Sequence, residues 1–326
     1  MRKIGLILSI IILTTLGCDR KKNESSEIVT LENDQLKISI APQLGGRLIF
    51  FGSPEVGNLL RVNSKAWTDD SPLTSSDSLE IPFVGYNGMI TWLGPQSEWW
   101  TRQDVVPELK KKKAVWPPDP YLIYGETQVT SLTDSSVTLK GPHSQVSGIT
   151  MTKRFSLVNN RMGYEVIVEN TGNDTVAWDI WTNSRFDVYT DYCIPLNNSD
   201  DIRVEDYSEN VDDSLQYSTT DDCFKFLLPD SSGLGNKAYK AKAFINGGKG
   251  RIVVHGDRQK LIMNFDEVPS ADIHPEQGFV EVYVALTNNT SKNLLELEHH
   301  SAYRTLAPGE KMKQKQSWVL KKTGER

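Results

Sequence analysis

From residue 128 to residue 320 the chain repeats one pattern: short runs of alternating apolar and polar residues, separated by turns. Such runs occupy 128–132, 136–140, 150–157, 163–169, 240–245, 251–254, 261–265, 279–286, 294–299 and 312–320. Within 163–169, Tyr164, Val166 and Val168 face one way and Glu165 and Glu169 the other. Earlier, Leu36, Ile38 and Ile40 alternate with Lys37 and Ser39 in the same manner. No stretch holds an apolar i, i+3, i+4 spacing long enough for a core helix. More than a dozen short strands without a dividing linker predict an all-β chain, a large twisted antiparallel β-sandwich in one domain over residues 27–322. The acidic stretch 191–222, low in apolar residues, reads as a long surface excursion.

A long aromatic loop insertion interrupts this pattern between residues 83 and 126. It carries four of the eight tryptophans, Trp92, Trp99, Trp100 and Trp116, with glycines and prolines between them. That mixture is too broken for a long helix and too aromatic for a solvated loop. Flat rings beside Gln96, Glu98 and Arg102 suit the face and the hydroxyls of a sugar; a satellite core beneath the loop is the other reading. The basic run 110–113 reads as a solvated face.

The amino terminus gives an address. Arg2 and Lys3 precede the apolar run 4–16, which is too short to span a bilayer and suits the core of a signal peptide. Thr15-Leu16-Gly17-Cys18, followed by a polar tether, resembles a bacterial lipoprotein signal. Residues 1–17 would then be removed, Cys18 lipidated, and 18–26 left as the tether. That implies a lipid-anchored protein of the bacterial cell envelope, facing away from the cytoplasm. An ordinary secretory signal with a chance Cys, or an uncleaved anchor, are the alternatives.

The formal charge of −6 becomes −8 once Arg2 and Lys3 leave, and no basic stripe is present, so nucleic acid is not expected as a partner. Cys193 and Cys223 are the cysteines left after Cys18, either a disulfide or two buried thiols. Asp200, Asp201, Glu205 and Asp206 are oxygen donors of the kind calcium takes, but they lack a spaced loop signature. They read as a solvated acidic loop, and neither a metal nor a cofactor is expected.

Three segments carry a family resemblance. The opening Leu31-Glu-Asn-Asp-Gln-Leu-Lys-Ile-Ser-Ile-Ala-Pro-Gln-Leu-Gly-Gly-Arg-Leu, the middle Met151-Thr-Lys-Arg-Phe-Ser-Leu with Tyr164-Glu-Val-Ile-Val-Glu-Asn-Thr, and the late Leu295-Glu-Leu-Glu-His-His with Leu306-Ala-Pro-Gly-Glu310 resemble the galactose mutarotase-like (aldose 1-epimerase) superfamily. The segments around Trp92 and Trp116 look like an uncharacterised bacterial lipoprotein branch of it. The resemblance implies a sugar-binding cleft on one face of the sandwich. It also implies a catalytic glutamate in the late strand, at Glu296 or Glu298. Mutarotases pair that base with histidines on the other side of the sugar. Thr182-Asn-Ser-Arg-Phe186 stands where a Thr-Asn-His segment is expected, so the histidine does not carry over. His300 is the one late histidine that shares a face with both glutamates.

Three functions fit this sequence. The first is carbohydrate recognition without classical aldose 1-epimerase activity, with the four tryptophans stacking on sugar rings and Gln96, Glu98, Arg102 and Arg185 holding hydroxyls or a carboxylate. The second is a sugar epimerase or carbohydrate-cleaving enzyme, with Glu298 or Glu296 as base and His300, Arg185 or Glu98 as its proton partner. The third is a structural lipoprotein whose aromatic loop binds protein.

Overall fold

The computed structural model describes residues 28–63, 83–197, 202–230, 232, 234–246 and 249–323. The expected signal segment and tether, with Cys18, and also Asp200 and Asp201, lie outside the described residues. In chain order the strands are β1 (Val29–Glu32), β2 (Lys37–Ala41), β3 (Arg47–Gly52), β4 (Met89–Gly94), β5 (Gln128–Thr133), β6 (Ser136–His143), β7 (Ile149–Val158), β8 (Arg161–Asn170), β9 (Val176–Phe186) and β10 (Asp191–Pro195). They continue as β11 (Ile202–Asp206), β12 (Tyr217–Ser218), β13 (Cys223–Phe226), β14 (Ala238–Ile245), β15 (Arg251–Gly256), β16 (Gln259–Phe265), β17 (Val280–Thr287), β18 (Leu294–His300), β19 (Arg304–Leu306) and β20 (Lys311–Lys322). Two short helices, α1 (Pro107–Lys112) and α2 (Pro120–Ile123), both lie in the aromatic insertion.

These strands form two antiparallel sheets of ten, packed as a sandwich. The first runs β1-β2-β3-β4-β9-β18-β17-β14-β11, with β19 also on β9; the second runs β12-β13-β10-β15-β16-β20-β8-β7-β6-β5. The alternation read from sequence sets their inner faces. Tyr164, Val166 and Val168 are buried, while Glu165 and Glu169 pair outward with Lys315 and Lys311 at 3.1 Å each. Each fully buried valine or leucine contributes about 1.5–3 kcal/mol, and the two inner faces supply dozens of such contacts. Late strands take central places: β18 lies between β9 and β17, and β20 between β16 and β8.

The acidic stretch 191–222 lies at the surface as its composition predicts, with only Tyr192, Ile194, Leu196 and Leu215 buried among its described residues, but it is not an irregular excursion. It contributes β10, β11 and β12, and a disulfide joins Cys193 on β10 to Cys223 on β13. Strand pairing there rests on backbone hydrogen bonds, which composition does not display. Glu205 and Asp206 lie on β11; Arg203 and Tyr207 engage Glu205, and Asp206 accepts the backbone N–H groups of Ser208 and Leu215 at 2.7 and 2.8 Å.

The insertion is fastened at several points. Buried Asp119 caps α2 through Tyr121 N–H and accepts the hydroxyls of Ser144 and Ser147 at 2.5 and 2.7 Å, tying the loop to the β6–β7 connection. Gly45 and Gly46 both take positive φ, 66° and 64°, and a side chain on Gly45 would strike the Leu122 carbonyl. The Gly-Gly turn thus lets β3 start directly against α2. No helix among the described residues is long and apolar enough to cross a membrane.

Candidate functional site

Strand register builds the site in rows on the face of the first sheet that points away from the second. Thr182 marks the inner face of β9, since its hydroxyl donates to Gln314 of β20 at 2.9 Å. Its neighbours Trp181 and Asn183 therefore project outward. One row is Trp92, Trp181 and His300 across β4, β9 and β18. The next is Asn183, Glu298, Glu281 and Phe244 across β9, β18, β17 and β14. The third is Arg185, Glu296, Tyr283, Lys242 and Glu205, ending on β11.

Charges in these rows join into a chain of contacts. Arg185 Nε donates to Glu296 Oε1 at 2.6 Å. Asn183 Nδ2 donates to Glu298 Oε1 at 2.6 Å, and Lys242 Nζ lies 3.0 Å from Glu298 Oε2 and 2.5 Å from Glu281 Oε2. His300 continues it, with Nε2 3.3 Å from Glu281 and Nδ1 3.0 Å from Asp179. Burial is nearly complete: Glu281, Glu298, His300 and Asp179 are each at most 1% exposed.

Proton affinities in this cluster diverge. Burial pushes Glu298 up to about 8; Lys242 opposes the rise, and the carboxylates of Glu296 and Glu281 add to it. Burial also acts to raise Glu296, but Arg185 overcomes it and holds the group below the ordinary glutamate value. Glu281 is likewise held down by Lys242 and His300 against its burial. Burial alone would lower His300, yet Glu281 and Asp179 lift it to about 10, so it is cationic at neutral pH. The floor thus sets a carboxyl of raised proton affinity, Glu298, beside one of lowered affinity, Glu296.

Above this floor lies a cleft of about 1150 Å³, lined by residues that include Trp92, Trp116, Trp181, Arg185, Glu296 and Glu298. Trp116 keeps 45% of its surface exposed, with Phe83 edge-on at 4.6 Å and Trp99 behind it at 6.4 Å. Gln96 lines the cleft and fixes that wall by donating to the Val115 carbonyl at 2.7 Å. The indole N–H groups of Trp92 and Trp181 are buried with no acceptor among the described residues.

Of the residues named from sequence, Trp92, Gln96, Trp116, Arg185, Glu296 and Glu298 line the cleft. His300 shares their face but lies beneath them, its ring 5.2 Å from that of Trp181. Trp99 and Trp100 are placed elsewhere than the stacking reading requires. They are 3% and 0% exposed, and their N–H groups donate to the carbonyls of Leu93 and Pro117 at 2.6 and 2.7 Å, which seats them in the main hydrophobic core. Glu98 and Arg102 do not line the cleft either; they pair with each other at 2.6 Å.

Lys242, Glu281 and Asp179 were absent from the sequence reading. Glu281 is the lone charge of its strand, between Val280 and Val282, and Asp179 stands between Trp178 and Ile180, whereas Lys242 shares its strand with Lys240 and carries no such mark. Ligand atoms of Glu281, Glu298 and His300 lie within 4.8 Å of one another, close enough to hold a metal ion. The ammonium of Lys242 already contacts both carboxylates, so the chain supplies its own cation there.

A family model described as a domain of unknown function, DUF4380, matches residues 27–321. No curated protein sequence matches. Among solved structures, a proposed aldose 1-epimerase from Escherichia coli is similar at 17% identity and a TM-score of 0.52, covering 91% of this chain and 99% of that one. A galactose mutarotase related enzyme from Lactobacillus acidophilus is similar at 13% and 0.52, covering 92% and 99%. A TPR-domain containing protein from Parabacteroides distasonis is similar at 14% and 0.53, covering 92% of this chain and 48% of that one. At these identities the likeness establishes the fold: two antiparallel sheets in a sandwich like that of galactose mutarotase-like proteins.

Proposed function

The chain belongs to the DUF4380 family, and from that membership, its mutarotase-like sandwich and its cleft we propose that it recognises a carbohydrate without classical aldose 1-epimerase activity. The observation that carries this reading is one wall of exposed indole facing a floor of Arg185, Glu296, Glu298 and Lys242. Indole faces take the apolar side of a sugar ring, and paired charges with spare polar atoms take its hydroxyls. Classical ring opening needs an acid and a base on opposite sides of the sugar. Glu296 and Glu298 are two residues apart on β18 and share the floor with Trp92; the wall that the insertion raises beside it carries Trp116 and Gln96, neither of them a proton donor of suitable pKa.

Titration calorimetry of the full-length chain in detergent against a panel of sugars tests this. Binding of one panel member is expected, with loss of at least about ten-fold in affinity for Trp116→Ala and for Arg185→Ala. Interconversion of α- and β-galactose or glucose, followed by polarimetry, is expected at the uncatalysed rate. Unchanged affinity in both variants would remove the indole wall from the account.

A second reading is favoured by one feature, the opposed proton affinities of Glu298 and Glu296. Two carboxyls on one side, one of raised and one of lowered proton affinity, suit a carbohydrate-cleaving enzyme in which Glu296 accepts a proton from the sugar while Glu298 gives one to the leaving oxygen as its bond to carbon breaks; an epimerase acting at carbon would need a second proton carrier on the other face. In that case a turnover found in a sugar-panel assay disappears in Glu298→Gln while sugar affinity stays. We further propose that Cys18 carries lipid and holds the protein in the bacterial cell envelope, outside the cytoplasm. The Cys193–Cys223 disulfide supports an oxidising compartment.

A further inference from the structure

Beside the 1150 Å³ cleft lies a second hollow of about 570 Å³. Gln96, Trp181, Tyr207 and Lys242 line both, so the two are one trough with Lys242 at its waist. The trough crosses the first sheet from β4 to β11. At about 4.8 Å between neighbouring strands, those five steps span about 24 Å. The first hollow alone already exceeds the roughly 300–1,000 Å³ that takes a drug-sized ligand. A single sugar ring on Trp116 leaves the second hollow unused.

That second hollow has the makings of a sugar subsite. Tyr207, 48% exposed, offers a ring at the waist just as Trp116 does at the far end. Arg203 is held flat, its guanidinium 3.7 Å from the centre of the Phe244 ring and donating to the Glu276 carbonyl at 2.9 Å. Gln277 is 7% exposed, lines this hollow, and its side-chain oxygen has no donor among the described residues. Both cations of the hollow are paired within its wall, Arg203 with Glu205 and Lys242 with Glu281, and Glu276 adds a further carboxylate to the lining. Paired cations, an extra carboxylate and an unpartnered amide oxygen favour uncharged hydroxyl-bearing units over an acidic sugar.

We infer that the cleft takes a neutral oligosaccharide, with one unit on Trp116 above Glu296 and Glu298 and the next units running past Tyr207 to Arg203 and Gln277. The inference rests on the carbohydrate reading of the cleft, and it adds the substrate's length and charge. Maltotetraose, cellotetraose, mannotetraose and xylotetraose, each against its own monomer, are the probes for calorimetry on the full-length chain in detergent. In one series the tetraose binds at least about ten-fold tighter than the monomer, a preference of about 1.4 kcal/mol. Arg203→Ala and Gln277→Ala each reduce that preference to less than about two-fold. Arg203 lies at the surface, so its variant keeps the fold even if the buried Gln277 variant does not, and thermal melts of both separate the two cases.

Equal affinity for tetraose and monomer overturns the inference and leaves the carbohydrate reading standing. A preference that survives Arg203→Ala in a folded protein does the same. Failure of every monomer and every tetraose to bind overturns the carbohydrate reading, and the inference with it.

Discussion

Glu298 is the side chain on which the chemistry of the cleft turns, and its proton can be followed through stability. An ordinary glutamate titrates at 4.5, while burial holds this one at about 8. Between those values the folded protein keeps a proton that the unfolded chain has released, so stability falls as pH rises through that window. His300 acts in the same sense, its contribution complete below its ordinary 6.5 and lost as pH climbs to about 10. Buried His299, stacked on Phe265 inside the sandwich and driven down to about 3 by its burial, has the opposite sign and weakens the fold in acid. Lys153, lowered to about 7 by burial, adds a rise above neutral, so the informative quantity is a difference between proteins. The melting temperature of the wild type minus that of Glu298→Gln is expected to decline from about pH 5 to about pH 8 and to level off above. A flat difference across that interval would mean that Glu298 is ionised in the fold.

Among the elements, β14, β17 and β18 form a unit held across the strands by Lys242. Lys242→Met leaves Glu281 and Glu298 facing each other without their cation. Removing one partner of a buried ion pair costs about 3–5 kcal/mol, and the 15% of the lysine side chain left exposed points to the lower end of that range. Adding Glu281→Gln is expected to recover part of the loss, measured by urea denaturation; simple additivity of the two changes would show that the groups do not interact. The strands themselves were plain in the sequence. Tyr164, Val166 and Val168 declared an inner face, and a period of two put Glu296, Glu298 and His300 on one side of β18. Lys242 and Glu281 stay hidden because a polar residue between apolar ones reads as a solvent-facing position, and nothing in β14 or β17 says that Glu298 and His300 of β18 meet them there. Trp99 and Trp100 misled for a related reason: aromatic content shows that rings will pack, but not whether they meet a ligand or the carbonyls of Leu93 and Pro117.

On the scale of the whole molecule, the disulfide closes a sequence separation of 30 residues, worth roughly 3 kcal/mol or a little more in the chain-entropy model. A bond of that kind lasts outside the reducing cytoplasm, which agrees with the proposed lipid anchor at Cys18. Cys18→Ser, expressed in a bacterial host, is expected to move the protein from the membrane pellet to the soluble fraction and to abolish incorporation of labelled palmitate. Continued pelleting without label would point to an uncleaved hydrophobic anchor instead. The central seats of β18 and β20 bear on how the protein is made. Because β18 and β20 follow all the other described strands save β19 in chain order, both ribbons wait unzipped along the middle, with four raw borders, until those two strands have been made. A nonsense mutation just ahead of the β18 codons therefore yields a sticky, half-built chain that proteases clear, and not a working protein that merely lacks one strand.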